Sequence, residues 1–75
     1  MKYPTLRRRG PGVGSPYEAN YKGVSIVAYQ QSTSPWISYS IRCDAEYVGH
    51  NYTLRGAVKQ AVDFILAHKK FFKIK

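Results

Sequence analysis

From Ile37 to Cys43, apolar and polar residues alternate strictly, and this pattern, which Trp36 precedes, constrains the fold more than any other part of the chain. A period of two is typical of a β-strand that buries one face and leaves the other polar. One face would carry Ile37, Tyr39, Ile41 and Cys43, and the other Trp36, Ser38, Ser40 and Arg42. We therefore predict an antiparallel strand here, with Arg42 and Trp36 on the side away from the core.

Two further strands and one helix are predicted around this segment. Val24 to Gln30 alternates in the same way, and Glu46 to Gly49 follows an expected turn at Asp44-Ala45. Thr53 is suited to cap a helix, because its hydroxyl can accept a free backbone N–H. Apolar side chains then recur at helical spacing, at Leu54, Ala57, Val58, Ala61, Phe64, Ile65 and His68. The expected fold class is α+β, with a three-stranded antiparallel sheet packed against one C-terminal helix in a single domain over residues 21–75.

Residues 1–20 differ from the rest in composition. Glycines and prolines surround Arg7, Arg8 and Arg9, and few residues there could contribute to a core. Such a segment cannot repay the entropy cost of becoming ordered. We predict a disordered, flexible, basic N-terminal tail.

The charge balance favours anionic partners. Twelve lysines and arginines against four acids give a formal net charge of +8, and this imbalance attracts anions over long distances. The N-terminus lacks the apolar stretch of a signal peptide, and no apolar run is long enough to span a bilayer. The lone Cys43 excludes an intramolecular disulfide. These observations predict a cytoplasmic protein without membrane insertion.

The residues that could perform catalysis are too few and too scattered to form a site. The four acids fall in different predicted elements, and neither His50 nor His68 has a cysteine or an acid at metal-ligand spacing. Cys43 with His50 could form a dyad, although a lone cysteine on an apolar strand face is more often a core residue. We expect no enzyme activity, no metal and no cofactor.

The order of short motifs suggests a resemblance. Tyr21-Lys22-Gly23-Val24, the strand from Trp36 to Arg42, and Val48-Gly49 leading to Thr53-Leu54 resemble the three-strand-plus-helix DNA-binding domains of the plant ethylene-response-factor family and the arm-binding domains of phage integrases. Small bacterial and phage proteins share the same layout. The resemblance implies that the sheet contacts DNA through Lys22, Trp36 and Arg42. At positions 25, 38 and 40, where those families tend to have basic or larger contact residues, this chain has serine.

The function expected from these observations is nucleic-acid binding, most plausibly to DNA. Arg7, Arg8 and Arg9 would grip phosphates, and Lys22, Trp36 and Arg42 would contact the nucleic acid from the sheet. A role at a membrane surface ranks third, because the basic and apolar C-terminal end is short and lacks a long amphipathic helix. Two stronger alternatives remain open at this point. The tail charges could serve only solubility, with tyrosines packing across strands rather than stacking on bases. The chain could also be a protein-interaction or inhibitor module, possibly homodimeric, because Phe71, Phe72 and Ile74 place apolar surface at the end of the chain.

Overall fold

The computed structural model describes residues 3–10, 15–33 and 36–74, with the side chains of residues 32, 33 and 36 outside the described part. The described residues form five strands and one helix: β1 (Arg7–Arg8), β2 (Tyr17–Tyr21), β3 (Val24–Thr33), β4 (Trp36–Cys43), β5 (Glu46–Asn51) and α1 (Leu54–Ala67). The strands form one antiparallel sheet in the order β1-β2-β3-β4-β5. The predicted α+β class, antiparallel sheet and C-terminal helix are confirmed, whereas the prediction of three strands is wrong.

The two additional strands lie in the segment predicted to be a disordered tail. β2 pairs with β3 along its whole length, and β1 pairs with β2 through Arg7 opposite Glu18 and Arg8 opposite Tyr17. Tyr17, Ala19 and Tyr21 pack against the core, and Leu6 belongs to it with 8% exposure. Burial of these side chains offsets the entropy cost that argued for disorder. Residues 1–2 and 11–14 of the predicted tail lie outside the described residues.

Two hairpin turns lie at the same end of the sheet. Lys22-Gly23 joins β2 to β3, and Asp44-Ala45 joins β4 to β5, as predicted for the second turn. All four residues have positive φ, as two-residue type I′ turns require. In the second turn neither residue is glycine. Its conformation is held by Asp44, which accepts a hydrogen bond from the Ser25 N–H at 2.9 Å and donates its own N–H to the Ser25 carbonyl.

The core lies between one face of the sheet and α1. Its fully or nearly buried members are Leu6, Val24, Ile26, Ala28, Ile41, Cys43, Ala57, Val58, Ala61, Val62 and Ile65. The sequence pattern correctly placed Ile41, Val58, Ala61 and Ile65 together. Ile37 was also expected there, but its side chain is 47% exposed.

The exposure of Ile37 follows from the lengths of the strands. β2 begins with Tyr17 opposite Ala28, and β5 ends with Asn51 opposite Tyr39. Residues 31–33 of β3 and 36–38 of β4 therefore pair only with each other, and we call them the β3–β4 ribbon. Ile37 lies in this ribbon, beyond the strands that flank the core.

The helix begins as predicted. The Thr53 hydroxyl accepts a hydrogen bond from the Gly56 N–H at 3.0 Å, which satisfies one free donor of the first turn. Over residues 68–74 the chain neither extends the helix nor forms a further strand. It turns instead, and Phe72 and Ile74 pack against the core.

Candidate functional site

Helix α1 covers one face of the sheet, and we call the opposite face the open face. Its residues alternate along each strand with those that point to the core. In the described part of the chain, the open face consists of Arg7, Glu18, Asn20, Ser25, Val27, Tyr29, Gln31, Ser38, Ser40, Arg42, Tyr47 and His50. Most of these side chains are exposed, and none is fully buried. The open face is therefore the largest surface that the strands present to solvent.

Strand register organises the open face into rows. One row crosses all five strands, and we call it the long row: Arg7, Glu18, Val27, Arg42 and Tyr47. The neighbouring row crosses β3, β4 and β5, and we call it the short row: Tyr29, Ser40 and His50. The two rows are two residues apart on β4, which corresponds to about 6.7 Å. Cations and aromatic rings thus lie side by side on the open face.

Arg42 and Tyr47 form the best-defined cluster of the open face. The Arg42 guanidinium carbon lies 5.9 Å from the centre of the Tyr47 ring, and Nη1 donates to the Ala45 carbonyl at 3.1 Å. The Tyr47 hydroxyl lies 3.4 Å from Nδ1 of His50. These contacts fix the guanidinium on the sheet, while the residue remains exposed.

Glu18 is the one carboxylate on the open face among the described residues. It forms an ion pair with Arg9, with 3.3 Å between Arg9 Nη1 and Glu18 Oε1. The other acids lie elsewhere: Asp44 in its turn, Glu46 opposite the core residue Cys43, and Asp63 on the helix. Because Arg9 offsets the charge of Glu18, Arg7 and Arg42 leave the open face positive.

The three tail arginines do not form a single surface. Arg7 belongs to the open face, and Arg9 reaches it through Glu18. Arg8 lies opposite Tyr17, on the helix side of the sheet. It donates to the Tyr17 hydroxyl at 3.0 Å, and its guanidinium carbon lies 5.3 Å from the ring centre.

The remaining predicted contacts lie at opposite ends of the sheet. Lys22 is in the β2–β3 turn, and its Nζ lies 5.7 Å from the centre of the Tyr21 ring. Trp36 begins β4 opposite Thr33, and its side chain is outside the described part. The structure therefore brings Arg7, Arg9 and Arg42 to one face and separates them from Arg8.

A Cys43–His50 dyad is incompatible with the register. Cys43 is fully buried on the helix side, with its sulfur 4.0 Å from the Ala61 carbonyl oxygen. His50 belongs to the open face, opposite Ser40. Burial, together with the neighbouring charge of Asp44, raises the pKa of Cys43 to about 11. A thiol that remains protonated at neutral pH is a poor nucleophile.

His50 is one of the open-face residues that the sequence pattern missed, because the predicted third strand ended at Gly49. The alternation of Tyr47, Val48, Gly49 and His50 is broken by a register irregularity between Ile41 and Arg42 on the partner strand. Tyr29 and Tyr47 could be placed on strands from the sequence, but their exposure could not. Their exposed fractions are 43% and 56%.

Within residues 3–10, 15–33 and 36–74, no group of three histidine, cysteine, aspartate or glutamate residues could hold a metal ion. The helix found in the same ranges is too short to cross a bilayer.

Comparison of the chain with protein-family models, curated proteins and solved structures gave no match.

Proposed function

We propose that this chain is a non-enzymatic module that binds nucleic acid through phosphate contacts from the open face of its sheet. The observation that carries the proposal is the charge of that face. Arg7 and Arg42 are exposed there, and its one described carboxylate is paired with Arg9. The net charge of +8 adds a long-range attraction to the same class of ligand.

The chemistry of these groups suits a phosphate backbone. Arginine presents a planar fork of N–H donors that can bind two phosphate oxygens, and this geometry adds strength as well as orientation. Hydroxyl groups of Ser38, Ser40 and Tyr47 on the same face are further donors of the kind that contacts phosphate. Lys22 lies in the β2–β3 turn, with its Nζ beside the helix-side ring of Tyr21, and is therefore not counted in this surface.

A salt titration with matched variants tests the proposal. Binding of labelled duplex DNA, single-stranded DNA and RNA is measured between about 50 and 200 mM salt for the wild type, Arg42→Gln and Arg55→Gln. Arg55 is exposed on α1, on the other side of the molecule, so both variants lose the same charge. We expect affinity to fall with salt and Arg42→Gln to flatten the slope by about one unit. Arg55→Gln should retain the slope of the wild type.

Two outcomes would overturn the proposal. Absence of binding to every nucleic acid at low salt would remove the function itself, because electrostatic attraction is strongest there. Equal losses in Arg42→Gln and Arg55→Gln would show that net charge, rather than the open face, governs the association.

Trp36 tests a different contribution to the same function. It is the only tryptophan of the chain, and we expect it to be one of the contacts. We expect Trp36→Leu to weaken binding by about 1–3 kcal/mol without altering the salt slope, because a stacked ring carries no charge. A changed slope or unchanged affinity would exclude Trp36 as a stacking contact.

One observation favours the competing function, a protein-interaction module. Phe71 is 60% exposed, and its ring lies edge to face with Phe72 at 5.0 Å between centroids. An exposed aromatic ring held by a partly buried neighbour is a typical anchor at protein interfaces. Sedimentation of the wild type and Phe71→Ser at several concentrations decides the case: self-association that Phe71→Ser abolishes, with no nucleic-acid binding, would support this function.

A further inference from the structure

We infer that the nucleic acid held by the open face is single-stranded, with unpaired bases stacked on Tyr29 and Tyr47. This inference rests on the function proposed above and specifies its ligand. It is carried by the placement of tyrosines on the two faces of the sheet, by the small side chains between the rings, and by the width of the sheet.

The tyrosines of the sheet divide by face. Tyr17, Tyr21 and Tyr39 are partly buried on the helix side, where they pack against the core. Tyr29 and Tyr47 lie on the open face with 43% and 56% exposure. Exposed rings on a positively charged sheet are the groups on which successive bases of a single strand stack.

A small side chain between the rings of Tyr29 and His50 leaves space for a base. Ser40 lies on β4 between Tyr29 on β3 and His50 on β5. The backbones of these two flanking residues are two strand spacings apart, which is about 9.6 Å. The small serine side chain thus lies between two aromatic groups, and this spacing leaves room for a base. In the neighbouring row, Arg42 is about 6.7 Å further along β4 and can meet the backbone phosphate.

The width of the sheet argues against a duplex. Five strands span four spacings, or about 19 Å, whereas the major groove of B-DNA is about 12 Å wide. The β3–β4 ribbon is narrow enough to enter a groove. However, residues 23–41, which include the whole ribbon, contain no lysine or arginine. A ribbon without cations lacks the charged phosphate contacts that supply most of the affinity for a duplex.

A comparison of strandedness with matched tyrosine variants tests the inference. Mixed-sequence single-stranded DNA, single-stranded RNA and duplex DNA of about 15 nucleotides or base pairs are labelled, and binding is followed by fluorescence anisotropy at one salt concentration. We expect both single strands to bind at least roughly tenfold more tightly than the duplex.

The variants are Tyr29→Leu, Tyr47→Leu, Tyr29→Phe and Tyr3→Leu. We expect each open-face leucine variant to weaken single-strand binding by roughly 5- to 150-fold, with duplex binding unchanged. Tyr29→Phe keeps the ring and should retain the affinity. Tyr3 is 42% exposed, close to the value for Tyr29, but lies beside α1 rather than on the open face. Tyr3→Leu should therefore bind like the wild type.

The outcomes separate this inference from the function on which it rests. Duplex binding as tight as single-strand binding, or leucine variants that bind like the wild type, would overturn the single-strand inference and leave nucleic-acid binding intact. Failure of the wild type to bind any of the three ligands would overturn both. A circular dichroism spectrum of each variant confirms that a loss of affinity reflects the ring rather than the fold.

Discussion

The two faces of this sheet use alternate residues of the same strands for opposite purposes. On the helix side, Ile26, Ile41 and Cys43 are completely buried beneath α1. On the open face, their sequence neighbours Arg42 and Ser40 meet solvent beside exposed tyrosines. The difference teaches that stability and binding can be altered independently here, because one residue step along a strand moves a substitution from the core to the candidate interface.

The largest effect that tests this comparison is expected from neighbouring residues on β4. Ile41→Ala should lower the free energy of unfolding by about 2–5 kcal/mol, because it leaves a cavity in the core. Ser40→Ala, on the opposite face, should change it by less than about 0.5 kcal/mol. Urea denaturation of both variants measures the difference. Equal losses would show that the assignment of the two faces is wrong.

Titration of Cys43 tests the burial of the helix side of the sheet. Its pKa is raised from 9.0 to about 11, mainly by burial and further by Asp44. Well below pH 9 the thiol is protonated in both folded and unfolded chains. As the pH rises from about 9 to about 11, the unfolded chain loses this proton more readily, so the folded state should lose on the order of 2 kcal/mol.

Cys43→Ala provides the control for other groups that titrate over this range. The difference in unfolding free energy between wild type and Cys43→Ala should shift against the wild type above pH 9. A constant difference up to pH 11 would contradict the expected burial of the thiol.

A substitution at Ile37 tests where the buried part of the helix side ends. It shares the helix-side face with Ile41 but lies in the β3–β4 ribbon with 47% exposure. Ile37→Ala should cost less than about 1 kcal/mol in unfolding free energy, because little apolar surface leaves the core. A loss as large as that of Ile41→Ala would place the ribbon against the helix.

The smallest effect is expected at the end of the sheet, where both faces meet solvent. Ala45 has a φ of 72°, a conformation that costs a residue with a Cβ about 1–2 kcal/mol. Ala45→Gly relieves this strain but adds freedom to the unfolded chain, so we expect a net stabilisation of about 0.5–1 kcal/mol. Gly23→Ala, in the equivalent turn at a φ of 85°, is the inverse control and should destabilise. Thermal unfolding of both variants measures the two signs.

Much of the fold could be predicted from sequence because its strongest signals are local. The alternation from Trp36 to Cys43 and the cap at Thr53 each depend on a few neighbouring residues, and both predictions are confirmed. β2 was missed although Tyr17, Ala19 and Tyr21 alternate and Lys22-Gly23 is suited to a two-residue turn. Glycines and prolines earlier in that segment concealed the pattern.

The candidate site was harder to predict, because exposure depends on distant elements. Alternation placed Ile37 with Ile41, but only the ends of β2 and β5 show that the core stops between them. Likewise, the run Arg7-Arg8-Arg9 is uniform in sequence. In the structure, Arg8 donates a hydrogen bond to the Tyr17 hydroxyl, whereas Arg9 forms an ion pair with Glu18. The net charge could be calculated from composition, but the face on which each arginine lies depends on strand pairing.

The order of strands in the sheet, which follows their order in the chain, has a consequence for biosynthesis. Each strand can pair with its predecessor as soon as it emerges from the ribosome, because every pairing is local and closes a short loop. Among the described elements, however, helix α1 follows all five strands in the chain. Until it arrives, Val24, Ile26 and Ile41 line an uncovered apolar surface on an otherwise complete sheet. The nascent chain therefore passes through a stage in which it depends on dilution or a chaperone to avoid association through that surface.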